Sequence, residues 1–549
     1  MKKILKPSLI VCMVVASAIQ SLSTPSAEAA FTEQVAIDTR AMSLANNVTA
    51  APPGILSVHY NPAGLSLLGD GSFASMGLSG AVSVRKTSKF EKDPNFPGFF
   101  GNTFNDDPLA GAEGTSTSGR MYIPFYGAAN ALVQPTIGFS HRTPGSKWTF
   151  AVAAYSPFSA GVYHGEKDDP SRFGGQALYQ QHLIYAAPAV SYQVNKTLSV
   201  GASVGLGQTA MGANMDIRLP NELLSITKVL GDATKGLQIP ILSELTFPPP
   251  WFGGGVGPYD RIATVQVKLR NDFSPSFNLG FLWSPKEWFS FGTSYQSSIT
   301  ANLTGEYLFT YSDEWQRMTN WFGSSPLLVI ISSILSIPNV AVTQQSGAVS
   351  AKVKFPQIVN FGIKLKPFNR LTILSDLHWA DWSIVKEDKL VFDKSIQILQ
   401  GSRILGYGGT GNTLVLRRNF KDSWNWGAAL EYQAFDWLTL RAGYENRKTS
   451  TQMAFFDLLT AVPDLDSYGA GFGIKLKNGV QIDIGGNYLV NRSYKIMNNG
   501  SVNLNFSSNF TKPVYNPYAG LNYEQKTEAI TASAKISMPI EVISKLFGR

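Results

Sequence analysis

The chain alternates apolar residues with small or polar ones over most of its length, and this period of two predicts β-strands. In residues 468–475 one face carries Tyr468, Ala470, Phe472 and Ile474, and the other carries Gly469, Gly471, Gly473 and Lys475. The pattern recurs in residues 197–207, 424–432 and 437–447. The second face is rich in Gly, Ser and Asn rather than in charged residues, so it suits a crowded or water-lined lumen better than the wet face of a soluble sheet.

Turns and loops give the number of strands. Six tight turns fall at 144–147, 195–197, 285–287, 367–370, 434–436 and 477–479. Seven long polar or irregular segments lie near 89–120, 164–175, 217–262, 309–346, 389–421, 449–466 and 498–524. Six turns alternating with seven loops join fourteen strands and leave both termini on the periplasmic side. We therefore predict an all-β fold, a 14-stranded antiparallel transmembrane β-barrel over residues 72–549, with helical extracellular loops near 217–262 and 309–346.

The first 29 residues predict export. Lys2, Lys3 and Lys6 precede a short apolar run, and an A-x-A cleavage pattern ends at Ala29. The apolar run is too short to cross a bilayer as a helix, so residues 1–29 are interpreted as a signal peptide. The only cysteine, Cys12, lies within it. The exported part is therefore expected to have no disulfide, no cysteine-bound zinc and no thiol nucleophile.

Composition narrows the class of protein. Charged residues make up 15% of the chain, against roughly 25% in soluble domains, while aromatic residues reach 12%. The net charge of +8 is spread without a Lys/Arg block, so a nucleic-acid partner is not expected. A secreted β protein and an outer-membrane barrel both fit these values. Trp and Tyr at the predicted strand ends favour the barrel, in the bacterial outer membrane.

Residues 30–71 precede the first predicted strand and lack its alternation. Pro52-Pro53 and Asn61-Pro62 interrupt regular backbone hydrogen bonding. The segment nevertheless contains apolar residues that need burial, such as Leu56 and Val58. Because the wall has no place for it, we expect this segment to fill the lumen as a plug.

Several stretches resemble the FadL/TodX family of outer-membrane transporters, which move long-chain fatty acids and other hydrophobic compounds. The N-terminal segment is similar to the family's hatch at Phe31, Arg40, Asn61, Pro62, Ala63 and Gly64. Residues 153–163, "AAYSPFSAGVY", resemble the third strand of the family, and residues 376–383 and 468–490 resemble later strands. Ser159 stands where the family usually has Gly, and two loops are long for the family. These departures leave the substrate open.

Pro157 lies inside a predicted wall strand. Proline cannot donate to the ladder, and a closed barrel has no edge strand, so a kink or bulge is expected. The resemblance implies that substrate leaves sideways through a gap at this kink, formed by Pro157, Phe158, Ser159 and Gly161. From the proline alone, a bulge without function is an equally good interpretation.

Two long loops carry apolar residues at helical spacing. These residues are Leu223, Ile226 and Leu230 in the first loop, and Trp315, Met318, Trp321 and Phe322 in the second. They either pack against each other or bind a ligand, because exposed apolar patches commonly mark binding sites. The resemblance implies that the two loops form a groove for incoming lipid.

The alternation also predicts which charged side chains face the lumen. They include Lys352, Lys354, Lys364, Arg441 and Arg447. Lys354, Arg441 and Arg447 are candidates for holding a carboxylate head group by charge-assisted hydrogen bonds. The alternative is that these charges pair with each other or bind the hatch.

No catalytic residue, metal or cofactor is expected, because the histidine spacings match no metal motif and "GGTGNT" at 408–413 lacks the P-loop lysine. We predict a monomeric, passive, ligand-gated outer-membrane channel for long-chain fatty acids or similar hydrophobic molecules, surrounded by membrane lipid and lipopolysaccharide. A hydrocarbon or aromatic importer of the same fold is the alternative. A lipid-modifying barrel enzyme would need a pair such as His378 with Ser375 or Ser383. A structural or adhesive barrel would leave the plug unexplained.

Overall fold

The computed structural model describes residues 37–94, 106–116, 121–123, 127–129, 133–164, 167–237, 247–402, 410–452, 455, 463–491, 494–496 and 517–546. The predicted signal peptide and Phe31 lie outside these residues.

The described residues form strands joined by short helices. The strands are β1 (Gly71–Lys92), β2 (Glu113–Ser116), β3 (Met121–Ile123), β4 (Gly127–Ala129), β5 (Val133–Arg142), β6 (Trp148–Tyr163), β7 (Ala177–Gln193), β8 (Leu198–Ile217), β9 (Ala263–Asn271), β10 (Ser276–Lys286), β11 (Phe289–Gln296), β12 (Ile299–Tyr311), β13 (Gln344–Phe355), β14 (Ile358–Phe368), β15 (Leu371–Ala380), β16 (Glu387–Phe392), β17 (Thr413–Arg417), β18 (Ser423–Phe435), β19 (Leu438–Arg447), β20 (Leu465–Lys475), β21 (Gln481–Val490), β22 (Tyr494–Ile496) and β23 (Leu521–Pro539). The α-helices are α1 (Thr39–Ser43), α2 (Ser57–Tyr60), α3 (Arg172–Gly175), α4 (Glu222–Ala233), α5 (Asp313–Trp321), α6 (Pro326–Leu335), α7 (Gln397–Gly401) and α8 (Ile540–Leu546). Short 3₁₀ helices cover Gly54–Leu56, Pro62–Leu67, Trp251–Gly254 and Trp382–Ile384.

Fourteen strands close into an antiparallel ring. The order is β1, β5, β6, β7, β8, β10, β11, β14, β15, β18, β19, β20, β21 and β23. β23 then pairs with β1 over almost the full length of both strands, which leaves no free edge. The predicted 14-stranded antiparallel barrel is confirmed.

The ring presents apolar side chains outward and small or polar side chains inward. Val200, Leu279, Leu430 and Ile484 are exposed on the outer face. Their neighbours Ser199, Asn278, Glu431 and Asp483 face the lumen, where they are mostly buried by other protein groups. This is the arrangement that a lipid-facing wall requires, because lipid solvates only the outer positions.

Residues 37–68, called here the hatch segment, lie inside the ring. The segment reaches strands on several sides of the wall through Thr39 to Ser533, Thr49 to Asp376, Asn61 to the Phe281 carbonyl, Ser66 to Ser199, and Val58 to Ser203. Its backbone passes so close to inward glycines that a Cβ there would overlap it, as at Gly201 beside Pro62 and at Gly443 beside Leu44. The glycine-rich inner face therefore makes room for this segment.

Above the ring, on one side, the wall continues as β9, β12, β13, β16 and β17, which pair in that order after β8. Here the faces are inverted, since Val267, Leu303 and Val353 point inward while Lys268 and Lys352 are exposed outside. The inversion follows from breaks in the strands, because a shift of one residue moves every side chain to the opposite face.

This inversion corrects one prediction. Lys352 and Lys354 do not share the lumen face of Lys364, because Pro356-Gln357 separate β13 from β14 and reverse the parity. Both lysines are exposed and alternate with the buried side chains of Val353 and Phe355. Lys354, next to the end of β13, also borders a small cavity beside Arg447.

Within the described part of the chain, no single helix is long and apolar enough to cross a membrane, and only α5 with α6, bent by 106°, meet the length and composition requirement as a pair.

Candidate functional site

A cavity of about 450 Å³ lies among the loop helices above the barrel. We call it the outer cavity. Its described lining comes from α4, α5, α6, α7 and the turn Trp251–Gly254, and none of the lining residues is charged. Only Thr227, Thr319 and Ser402 contribute a hydroxyl group to it. The cavity can therefore hold hydrocarbon but offers no counter-ion.

Local capping explains why these loops fold into helices. Asn221 caps α4 by accepting from the Leu223 amide at 2.7 Å. Ser312 and Ser325 cap α5 and α6 in the same way, each accepting from a backbone amide at 3.2 Å. A side-chain acceptor at this position satisfies an amide that would otherwise lack a partner. The helices are thus ordered elements that fix the side chains of the cavity.

A glycine-rich turn joins two of the helices. Gly255 packs against the Thr227 carbonyl of α4 and Gly253 against the Arg317 carbonyl of α5, both with positive φ. A side chain at either position would clash with helix backbone. The Trp321 indole donates to the Pro248 carbonyl at 2.7 Å and attaches α5 to the same turn.

Most of the predicted groove residues meet at this cavity. Those that line it are Leu223, Leu230, Trp315, Met318, Trp321 and Phe322. Ile226 does not line it, because α4 presents Leu224 and Thr227 instead. The prediction also lacked Leu219, Phe247, Trp251, Phe252, Leu328 and Ile331. The apolar run "PLLVIISSILSIP" marks α6 as part of this loop surface in the sequence, but it does not show which of its residues line the cavity.

A continuous group of buried apolar side chains leads from the outer cavity down the lumen. This apolar cluster includes Ile262, Trp315 and Ile398, which also line the cavity. It continues along the inner faces of β9, β12, β13 and β16. At its lower end Phe158 packs against it. The cluster thus connects the loops to the strand that contains Pro157.

Strand β6 is irregular around Pro157. Its pairing with β7 has one register shift between Ala153 and Tyr155 and another between Tyr155 and Phe158. Its pairing with β5 ends at Ala154, opposite Ile137. Among the described residues, β6 above this point is paired with β7 only. Phe158, Ser159 and Gly161 all lie in this singly paired part.

The NPAG residues close the hatch segment by local hydrogen bonds. The Asn61 carboxamide accepts from the Ala63 amide at 3.2 Å and donates to the Thr49 carbonyl at 2.9 Å. Pro62 occupies the first helical position, where its missing N–H does no harm. Gly64 packs on the ring of Pro52, with no room for a Cβ. This contact sets the direction in which the chain leaves toward β1.

Charged residues tie the hatch segment to the wall. They alternate in sign through Asp38, Lys535, Asp483, Arg441, Glu431 and Arg40, and we call them the charge ring. The shortest contact is 2.6 Å, from Lys535 Nζ to Asp38 Oδ2. Burial opposes the charge on Arg40, but the Glu431 carboxylate outweighs it and raises the pKa of the Arg40 guanidinium. The charge ring begins at Asp38, the N-cap of α1, and ends at Arg40 within that helix.

A profile of the outer membrane protein transport protein (OMPP1/FadL/TodX) family matches residues 17–538. The chain belongs to this family. It is accordingly an outer-membrane protein, and the family is one of transport proteins.

Solved structures of similar fold include family members from three bacteria. A FadL homologue from Pseudomonas aeruginosa is 16% identical with a TM-score of 0.65, over 93% of this chain and 100% of that one. The toluene transporter TodX from P. putida is 16% identical with a TM-score of 0.55, over 91% and 98%. The toluene transporter TbuX from Ralstonia pickettii is 16% identical with a TM-score of 0.52, over 90% and 97%. Among curated protein sequences, no significant match was found.

The three head-group candidates have different environments in this family member. Arg441 is engaged by Glu431 and Asp483 in the charge ring, each at 2.7 Å. Arg447 bonds Glu445 at 3.0 Å. Arg447 and Lys354 line one small cavity of about 120 Å³, which also touches Val353 of the apolar cluster.

The described residues were also compared with the requirements of a metal site and of a serine–histidine catalytic pair. In the described residues, no group of three or more His, Cys, Asp or Glu side chains is placed to hold a metal ion. His378 Nδ1 lies 2.7 Å from the Asn360 side-chain oxygen and not beside a serine hydroxyl, while Ser375 donates to the Gly427 carbonyl. Ser383 donates to the Asp381 carboxylate at 2.9 Å, so these residues do not form the serine–histidine pair that a lipid-modifying enzyme would need.

Proposed function

We propose that this protein is a channel for passive, ligand-gated uptake of long-chain fatty acids or similar hydrophobic molecules across the outer membrane. One observation carries the proposal: an uncharged outer cavity continues as an apolar cluster to the interrupted strand β6. A water-filled pore would not need an apolar lining of this length. We further propose that the protein works as a monomer among membrane lipid and lipopolysaccharide, since its ring closes without a second copy.

Capture would take place at the outer cavity. Transfer of a hydrocarbon chain from water into it is favourable by ~0.8 kcal/mol per buried methylene. The lining of Trp315, Trp321 and the leucines of α4 supplies this surface without a charge that would have to be desolvated. The apolar cluster below offers the same environment, so a captured molecule can move inward without returning to water.

Release would take place sideways, between β5 and β6. Within the described residues, the ladder between these strands ends at Ala154, and the part of β6 above it includes Ser159 and Gly161, whose side chains are small. A molecule leaving there enters the bilayer directly. The alternative exit through the periplasmic end would expose its apolar surface to water at a cost of ~25 cal/mol per Å².

The hatch segment supplies the gating part of the proposal. It fills the lumen below the apolar cluster, and its buried residues include Leu44, Val48 and Leu65. Ligand arrival would have to displace part of it or the side chains above it. A fatty-acid carboxylate would then lie in the small cavity lined by Lys354 and Arg447.

A hydrocarbon or aromatic substrate is the second candidate, and one observation favours it. No charged residue lines the described part of the outer cavity, so capture there does not select for a head group. The toluene transporters among the structural relatives fit this alternative. Competition of oleate uptake by toluene and by a long-chain alkane would distinguish the two candidates.

Capture is tested with Leu223, Leu230, Trp315 and Trp321 replaced by Ser. Uptake of radiolabelled oleate at low concentration by cells that depend on this protein should fall. The matched control replaces Val229 on α4 and Ile330 and Ile334 on α6, which are exposed on helices around the cavity and do not line it. If both variants take up oleate like the parent, the capture site is wrong.

Release is tested with Gly161→Trp, which should fill the space beside the β6 interruption. We expect oleate still to bind, measured by quenching of tryptophan fluorescence in detergent, while uptake is lost. Full uptake by this variant would refute release at β6.

A further inference from the structure

Two aromatic rings meet across the lumen at the lower end of the apolar cluster. The Phe158 and Phe355 ring centroids are 4.7 Å apart and the rings are stacked, with 29° between their planes. Phe158 is on β6 and Phe355 is on β13. In the wall these strands are separated by β7, β8, β9 and β12. The contact therefore bridges the interior and is not a pairing between neighbouring strands.

Both rings belong to places where the wall is interrupted. Phe158 follows the second register shift of β6, directly after Pro157. Phe355 is the last residue of β13, directly before Pro356-Gln357. Backbone at such breaks is held by fewer ladder hydrogen bonds than an uninterrupted strand, so these positions can adjust at low cost.

The pair divides two unlike environments. Above it lies the apolar cluster, with Ile299 opposite Phe355 on the neighbouring strand. Below it the inward residues are polar, such as Asn278 and Gln296, and they bond hatch carbonyls. The His182 ring lies 5.7 Å from Phe355 on the same level. Phe355 is only 3% exposed, so the neighbouring side chains leave no open passage beside its ring.

A buried polar atom lies next to the pair. The Nδ1 atom of His182 shares a hydrogen bond of 3.0 Å with the Thr209 hydroxyl group. Its Nε2 is buried without a hydrogen-bond partner among the described residues. Leaving such an atom unsatisfied is costly, so its presence on the route indicates a position that a polar group of a passing molecule can use.

We propose that Phe158 and Phe355 form an aromatic gate between the outer cavity and the exit at β6, a role that rests on the proposed uptake function. In the closed state the stacked rings end the apolar path. A ligand advancing from the cluster separates them, replaces their mutual contact with its own apolar surface, and meets His182 and the β6 interruption beyond. Phe158 and Phe355 are positioning residues for passage, and their separation sets which molecules proceed.

The test locks the two positions together. Because Cys12 is the only natural cysteine, the double variant Phe158→Cys with Phe355→Cys can be bridged with a reducible bis-methanethiosulfonate reagent. We expect bridging to abolish oleate uptake and reduction to restore it. The matched control bridges Phe435→Cys with Trp437→Cys, an exposed pair 5.6 Å apart at the turn between β18 and β19, outside the apolar cluster. Bridging the control pair should leave uptake in place.

Binding is measured alongside uptake, through quenching of tryptophan fluorescence by oleate. Retained binding with lost uptake in the bridged gate pair supports the gate. Unchanged uptake after bridging overturns the gate while leaving the proposed function intact. Absence of oleate uptake and binding in the parent protein would instead refute the proposed function.

A second variant keeps the test decisive if the double cysteine variant does not assemble. Phe355→Leu keeps an apolar side chain but removes the stacked ring, and we expect a faster initial rate of oleate uptake. The control Phe435→Leu makes the same substitution at an exposed position at the end of β18, outside the apolar cluster, and should leave the rate as in the parent. A rate for Phe355→Leu equal to or below the parent's would contradict the gate.

Discussion

Replacing Asp38 by Asn is expected to loosen the hatch segment without unfolding the barrel. Asp38 has two roles that use different oxygen atoms. Its Oδ1 caps α1 by accepting from the Arg40 and Ala41 amides, and its Oδ2 contacts Lys535 Nζ at 2.6 Å. Asn keeps the cap and removes the ion pair, so the variant isolates the contribution of the charge ring.

The size of the effect follows from burial. The Asp38 side chain is fully buried and that of Lys535 is 6% exposed. Removing one partner of a buried pair typically costs ~3–5 kcal/mol. Lys535 keeps a weaker contact with Asp483 at 3.7 Å, so the lower end applies. About 3 kcal/mol corresponds to roughly a hundredfold larger open population of the hatch segment.

The assay uses Val48→Cys, a buried hatch position, as the reporter thiol. In detergent micelles, labelling by a water-soluble maleimide passes through the open state, so its rate should rise about a hundredfold in Asp38→Asn. Asp38→Ala also loses the cap, worth ~1 kcal/mol, and should label about fivefold faster still. The control Asp436→Asn removes an exposed contact to Arg370 at 3.5 Å and should leave the rate unchanged. Equal labelling of Asp38→Asn and its parent would refute the reasoning.

Two further predictions concern the head group and an extracellular loop. Lys354→Ala should lower oleate uptake and spare toluene uptake in the same cells; equal losses for both would contradict a carboxylate role. Burial lowers the pKa of His164 although Asp169, 3.2 Å away, opposes the shift. Since the folded loop holds a neutral His164, its stability should be full above the ordinary value of about 6.5 and fall as pH decreases below it. Proteolysis at Lys167, normalised to an unstructured peptide, should therefore rise from pH 7.5 to pH 5.5, and His164→Gln should remove this dependence.

The barrel could be predicted from the sequence because lipid acts on every outward position at membrane depth. Each wall strand must then alternate, and each tight turn must carry residues that permit it, as Gly479 does with φ +82° between β20 and β21. Both signals are local in sequence. The number of strands and their directions could therefore be predicted from short segments of the sequence, each taken separately.

The outer cavity was predictable in part. Helical spacing identified Leu223 and Leu230, but it also selected Ile226, which faces away from the cavity. Which face of α4 turns inward depends on the turn at Gly255, which packs against the Thr227 carbonyl. That contact joins residues from different parts of a long loop, and no periodicity within α4 encodes it.

Pairing of Arg441 with other lumen charges or with the hatch was the alternative prediction, but its partners could not be predicted, for a similar reason. Asp38 and Lys535 are 497 residues apart in the sequence, and it is the closure of the β-barrel that brings them together. Arg441 was a plausible head-group ligand from its lumen parity. In the structure its guanidinium instead pairs with Glu431 on β18 and Asp483 on β21, and so belongs to the charge ring. The odd or even position of a residue along a strand predicts which face its side chain occupies, but not which residue it will contact.

The inverted upper wall leads to the last prediction, which fixes where lipid ends. The exposed residues of β13 include Ser350, Lys352 and Lys354, whereas those of β14, below Pro356-Gln357, include Phe361, Ile363 and Leu365. If the break marks the membrane boundary, Ser350→Cys lies in water and Phe361→Cys in hydrocarbon.

A membrane-impermeant maleimide should then label Ser350→Cys on intact cells and leave Phe361→Cys unmodified, because the reacting thiolate forms only in water. Both variants should label equally after denaturation, which controls for the presence of the thiol. Labelling of Phe361→Cys on intact cells would place water below the break, and failure of Ser350→Cys would place lipid above it. Either result would remove the physical reason for the inversion, since polar side chains face outward on β13 only if their surroundings can hydrate them.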